Sequence, residues 1–117
     1  MDKTCLDYCC VSHIGRRPNH EDNFLLSNGR YISPTEQALL SPKEYVRYAG
    51  SSFAATQIFA VSDGMGGHNA GETASLICVS KLAEISKSIQ NCRHISEAII
   101  LCQKEIASIN DEVCRVS

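Results

Sequence analysis

Apolar positions along the chain alternate in one region and recur at helical spacing in another. In the stretch LDYCCVS, residues 6–12, Leu6, Tyr8 and Cys10 occupy alternate positions, the period of a half-buried strand. NFLLS, residues 23–27, reads as a second strand closed by Asn28-Gly29. Between them, GRRPNHED is a polar turn in which Pro18 excludes a central strand. TQIFAVS, residues 56–62, reads as the third and strongest strand. Its run Ile58, Phe59, Ala60 and Val61 is continuously apolar, as expected of a strand buried on both faces.

Further along, Leu76, Val79, Leu82, Ala83 and Ile85 predict a helix that breaks at NCRH. A second helix carries Ile95, Ile99, Cys102, Ile106, Ile109 and Val113, at spacings of four and three that place them on one face, with Ser96 or Asn91 as candidate cap. The two helices are expected as an antiparallel pair on the sheet, with this stripe in the core. Between the second and third strands, SPTEQALL and SPKEYVRYA each show Ser, then Pro, then Glu three after the Ser. That is a capping box with proline at the first helical position. Ser33 and Ser41 are thus candidate caps of two short helices spanning residues 33–49, placed at the rim away from any site. The expected fold class is α+β, with antiparallel strands and two helices on one face.

Composition narrows the possibilities. A chain of 117 residues holds one core, and 44% hydrophobic with 21% charged residues excludes a disordered chain. A net charge of −2 leaves no electrostatic footprint for nucleic acid or an anionic membrane. No stretch reads as a signal peptide or membrane span, so a cytoplasmic protein is expected. The seven cysteines form no Cys-x-x-Cys pair, and Cys78 and Cys102 sit at helical spacing among apolar residues. They are read as small buried hydrophobes rather than a zinc or redox site.

Two polar constellations carry candidate chemistry. One is Arg17, Glu21 and Asp22 in RRPNHEDNF; the other is Asp63, Gly64 and His68 in SDGMGGH. Both flank strands that can pair, so they can meet at one end of a sheet. Carboxylates brought together repel unless a cation lies between them. Oxygen donors of this kind suit hard ions such as Mg²⁺ or Mn²⁺, and an arginine offers a planar fork to a phosphoryl group.

At these residues the chain resembles the metal-dependent protein serine/threonine phosphatases, the type 2C or PPM family, and its bacterial branch most. GRRPNHEDNFLL and FAVSDGMGGHNAGETAS look like that family's first two motifs. The resemblance implies an N-terminal portion of an α-β-β-α sandwich covering residues 1–117 as part of a single domain. It implies that Asp63 bridges two Mn²⁺ or Mg²⁺ ions, that the Gly64 carbonyl binds one of them, and that Asp22 contributes, assisted by Glu21. Arg17 would hold the substrate phosphate, with His68 as candidate acid. The implied reaction is dephosphorylation of phosphoserine or phosphothreonine in proteins by a water activated between the two metals. The implied partners are phosphoprotein substrates and a cognate kinase. The family's later aspartate motifs have no counterpart after Glu72, where the only aspartate is Asp111. The chain alone is therefore expected to be a poor catalyst, with an exposed apolar face and open strand edges. The competing expectation is a catalytically inactive phosphatase fragment, or a regulatory or metal-binding module. A nucleotide cradle at the glycine loop is disfavoured, because no Walker lysine follows it.

Overall fold

The computed structural model describes residues 2–39, 45–65 and 70–116. It is an α+β fold built on two antiparallel pairs of strands. Strand β1 (Thr4–His13) pairs with β3 (Tyr45–Ala54), and β2 (Asp22–Leu25) pairs with β4 (Ala60–Asp63). Helix α1 (Pro34–Leu39) precedes β3, and α2 (Ala70–Gln90) and α3 (Ile95–Val116) follow β4.

The short β2 is the centre of the molecule. Asn23, Phe24 and Leu25 are all buried. Alternation along the strand sends Phe24 toward the long pair, where it packs with Leu26, Ile32 and Val46 and is flanked by Tyr8, Cys10 and Tyr48. Leu25 points the other way, into a cluster with Val79 and Leu82 of α2 and Ile109 of α3. Full burial of such side chains stabilises by about 1.5–3 kcal/mol each. Asn23 is buried without penalty, because its amide closes a ring with Ile32: Nδ2 donates to the Ile32 carbonyl at 2.9 Å, and Oδ1 accepts from the Ile32 N–H at 3.0 Å. The turn after β2 is closed by the Gly29 N–H donating to the Leu26 carbonyl at 2.8 Å. Gly29 takes φ +87°, which a side chain would strain.

Helix α1 has the expected cap. The Glu36 N–H donates to Ser33 Oγ at 3.2 Å, and the Ser33 N–H reaches Glu36 Oε1 at 3.4 Å. The second expected helix is corrected. Ser41, Pro42 and Glu44 lie outside the described residues, and Tyr45, Val46 and Tyr48 belong to β3, in register with His13, Ser12 and Cys10 of β1. Val46 and Tyr48 are β-formers, and pairing along the whole of β1 outweighs a one-turn helical preference.

Two further corrections concern burial. The strand expected to be buried on both faces, β4, is an edge. Val61 is 83% exposed and Phe59 is 41% exposed, and among the described residues β2 is the only strand that pairs with β4. The expected core stripe of α3 is buried along one margin only. Ile109 is buried and Cys102 and Val113 partly so, but Ile95, Ile99 and Ile106 stand at least half exposed. The buried side is rotated toward Ala98 and Leu101, which pack with Ile89 and Cys92 at the α2–α3 corner. Ser96 lies inside α3 and caps nothing; the Glu97 carboxylate instead accepts from the Arg93 N–H at 3.3 Å.

Helix α2 lies against β2 and β4, and α3 lies against α2. The residues of α2 that are buried are Gly71, Ser75, Val79, Leu82, Ser86 and Ile89. The small ones let the helix sit close to the strands. Ser75 and Ser86 return their hydroxyls to Glu72 and Ala83 carbonyls at 3.1 and 2.8 Å, so no buried donor is left over at either position. Cys5, Cys9, Cys10, Cys78, Cys92 and Cys102 are free thiols. Among the described residues, no helix is long and apolar enough to cross a membrane.

Candidate functional site

The two sequence constellations meet. In the β2–β4 ladder, Asp22 stands directly opposite Asp63. The ladder runs on by one bond, from the Gly64 N–H to the Glu21 carbonyl at 3.1 Å. Facing side chains at such a position have Cβ atoms about 4.5–5.5 Å apart, and like charges there repel. The Asp22 carboxyl is accordingly pushed above its ordinary value of 3.8. Partial loss of water at the strand end comes first, then a hydrogen bond with Asp63 and the Asp63 charge; His20 and Arg17 pull the other way. Asp22 remains open to solvent, so the shift translates into little stability.

Arg17 lies in the turn before β2, 70% exposed, and its Nη2 pairs with Glu21 Oε2 at 3.3 Å. Glu21 is 11% exposed and lies against the first turn of α2. A Cβ on Gly71 would fall 2.9 Å from Glu21 Oε2, and one on Gly64 would collide with the Gly71 carbonyl oxygen and lie 2.7 Å from the Glu21 carbonyl oxygen. Gly64 is thus required by the close approach of main chain from the start of β2, the end of β4 and the start of α2, whereas a side chain at Gly71 would displace only the Glu21 side chain. His68 lies outside the described residues.

One residue here had no assigned role in the sequence reading. His20 shares a hydrogen bond of 2.6 Å between its Nε2 and Ser12 Oγ, and its charge acts on Asp22. It lines a groove of about 360 Å³ with Asp22, Asn23, Ser33, Gln37 and Glu72. The signal was its place directly before Glu21-Asp22. Asp63 and Gly64 line a second groove of about 410 Å³ with Met65, Ile106 and Asn110.

The donor set is two facing carboxylates, both reachable from water. That set suits a hard divalent ion that keeps several of its waters. Among the described residues, no group of three or more His, Cys, Asp or Glu side chains is gathered to hold a metal. Compared with protein-family models, with curated proteins and with solved structures, the chain matches none.

Proposed function

We propose that the chain is the N-terminal part of a metal-dependent phosphatase domain of the type 2C kind, acting on phosphoserine or phosphothreonine in proteins. The observation that carries the reading is the pairing of Asp22 with Asp63 at the open end of β2–β4. It brings together the acidic residues of two motifs that lie 41 positions apart by subtraction of their residue numbers, with Arg17 in the adjoining turn. Two antiparallel strand pairs, with α2 and α3 beside the shorter one, are compatible with part of an α-β-β-α sandwich and support the reading.

In this reading Asp22 and Asp63 hold Mn²⁺ or Mg²⁺, with the Gly64 carbonyl as a main-chain donor. The ion supplies neutralising charge for a phosphoryl group and a water acidified toward neutrality. The chain's own residues do the rest. Asp22 and Asp63 would take the ion between their facing carboxylates. Arg17 presents a guanidinium fork to phosphate oxygens beside them. His20 sits next to Asp22, anchored by Ser12, and lines the same groove.

The second reading, a metal-binding or regulatory module without turnover, is favoured by the small donor set. Two carboxylates hold a hard ion with most of its waters still bound, and so weakly. Mn²⁺ titration followed by calorimetry tests the shared premise: binding is expected, and Asp63→Asn is expected to abolish it. Hydrolysis of p-nitrophenyl phosphate then separates the readings. Slow or absent turnover by the 117-residue chain is expected on either. Robust, EDTA-sensitive turnover that disappears in Asp63→Asn would overturn the module reading. Absence of Mn²⁺ binding would overturn both.

A further inference from the structure

The backbone gives Glu21 and Asp22 different destinations. Adjacent residues of an extended chain project to opposite faces. Phe24, two residues beyond Asp22, packs toward the β1–β3 pair. Leu25, four beyond Glu21, packs toward α2 and α3. Asp22 looks across to Asp63 and lines the open groove with Ser33, Gln37 and Glu72, whereas Glu21, on the side of Leu25, is only 11% exposed. Its carboxylate reaches the first turn of α2, where the absence of a side chain on Gly71 makes the space it occupies. The same oxygen, Oε2, lies nearest the Gly71 position and also accepts from Arg17.

We propose that Glu21 is a positioning residue, not a metal ligand: it latches the Arg17 turn to the start of α2 and so sets the guanidinium beside the Asp22–Asp63 pair. The inference rests on the metal reading above for its purpose, but the latch itself needs no metal. It gives Gly71 a role of its own, since any side chain there would evict the Glu21 carboxylate. It also explains how a residue 70% exposed can hold a preferred place. Arg17 is anchored at its tip by a carboxylate that is itself enclosed.

NMR on the intact 117-residue chain tests this in two arms. Without metal, the Arg17 Nε–Hε resonance is expected to move in Glu21→Gln, to move the same way in Gly71→Ala, and to stay in place in Asp63→Asn. With Mn²⁺ added, paramagnetic broadening around Asp22 and Asp63 is expected to persist in Glu21→Gln, with affinity within about twofold of the parent, as for loss of a surface charge. It is expected to vanish in Asp63→Asn. An unmoved Arg17 resonance in Glu21→Gln overturns the latch. A loss of Mn²⁺ affinity of about tenfold or more in Glu21→Gln makes Glu21 a ligand and overturns the assignment. If the parent shows no localised broadening, the metal reading falls, and the latch is decided by the Arg17 resonance alone. Glu21→Gln is nearly isosteric, so the result does not depend on whether Gly71→Ala folds.

Discussion

The two strand pairs differ in almost every respect that matters for function. The β1–β3 pair is long, ten residues on each strand, and has one face in water: Val11, Tyr45 and Phe53 are more than half exposed. The β2–β4 pair has four residues per strand and is covered by α2 along the face of Leu25. The candidate site stands at the end of the short pair. Length gives β1–β3 its stability through main-chain bonds and cross-strand contacts. The short pair relies on side chains packed from both sides of β2 and on close approach of α2. A site on the short pair is therefore tied to the core, and a change in packing there reaches the carboxylates within a residue or two.

The strongest way to break this contrast is to empty the core on one side only. Leu25→Ala removes a side chain that is 1% exposed and is expected to cost about 2–5 kcal/mol. Phe53→Ala, on the exposed face of the long pair, is expected to stay within about 0.5 kcal/mol. Urea unfolding of both variants measures the difference, and comparable losses would erase the distinction between the pairs. Next in size is Gly64→Ala. The added Cβ meets backbone from both Gly71 and Glu21, so the junction must shift, at about 1–3 kcal/mol. The same replacement at Gly15, with open space around it but φ +67°, is expected to cost about 1 kcal/mol from backbone strain alone. Thermal melts of the pair separate crowding from strain.

Two smaller predictions concern charge and have opposite signs with pH. In the long-pair half, Tyr48 Oη donates to the Glu36 carboxylate, Arg30 Nη2 reaches it at 3.0 Å, and the Arg30 guanidinium lies 4.4 Å from the centre of the Tyr48 ring. The Tyr48 hydrogen bond, foremost, draws the Glu36 carboxyl below its ordinary 4.5. A lowered value means that stability is present above about pH 4.5 and is lost as pH falls through the folded-state value. Glu36→Gln is expected to cost about 0.5–1.5 kcal/mol at neutral pH and to flatten that acid limb. Asp22 behaves in reverse. Its carboxyl is raised, so its contribution is fully present below the ordinary 3.8 and is lost as pH rises through the folded-state value. Without metal at neutral pH, Asp22→Asn is expected to stabilise the chain by about 0.2–1 kcal/mol, by removing a like-charge pair from facing positions. Melting temperature against pH, with EDTA present, measures both slopes; the same sign for the two variants would show that the Asp22–Asp63 repulsion is not felt.

Much of this was legible in the sequence, for physical reasons that can be named. The cap of α1 was readable because Ser33, Pro34 and Glu36 satisfy each other within one turn. The second Ser-Pro-x-Glu piece carried the same letters, yet Tyr45 to Ala49 pair with β1, a partner more than thirty positions away that local pattern cannot see. The convergence of Asp22 and Asp63 was readable because each closes or opens an apolar run that can form a strand. The places of Arg17 and Glu21 relative to them were not. They depend on a glycine-to-carboxylate contact between the start of β2 and the start of α2. The continuous run Ile58 to Val61 suggested a buried strand, but apolar letters do not reveal whether a neighbour is present on each side. Val61 shows the consequence at 83% exposure.

The register of β2 with β4 has one more consequence. Asp22 and Asp63 face each other only in that register, and a slip by one residue would turn Asp63 to the opposite side of the sheet. A ligand that needs both carboxylates thus recognises a correctly paired sheet and no other arrangement of the chain. Its free energy of binding is added to the pairing itself, as RT ln(1 + [L]/Kd). A cation present at a hundred times its dissociation constant would raise the stability of the β2–β4 pairing by about 2.7 kcal/mol. That is comparable with burying one more large side chain in its core. The concentration of the ion would then act as a dial on the fold, and the shortest strands in the molecule would be the ones that read it.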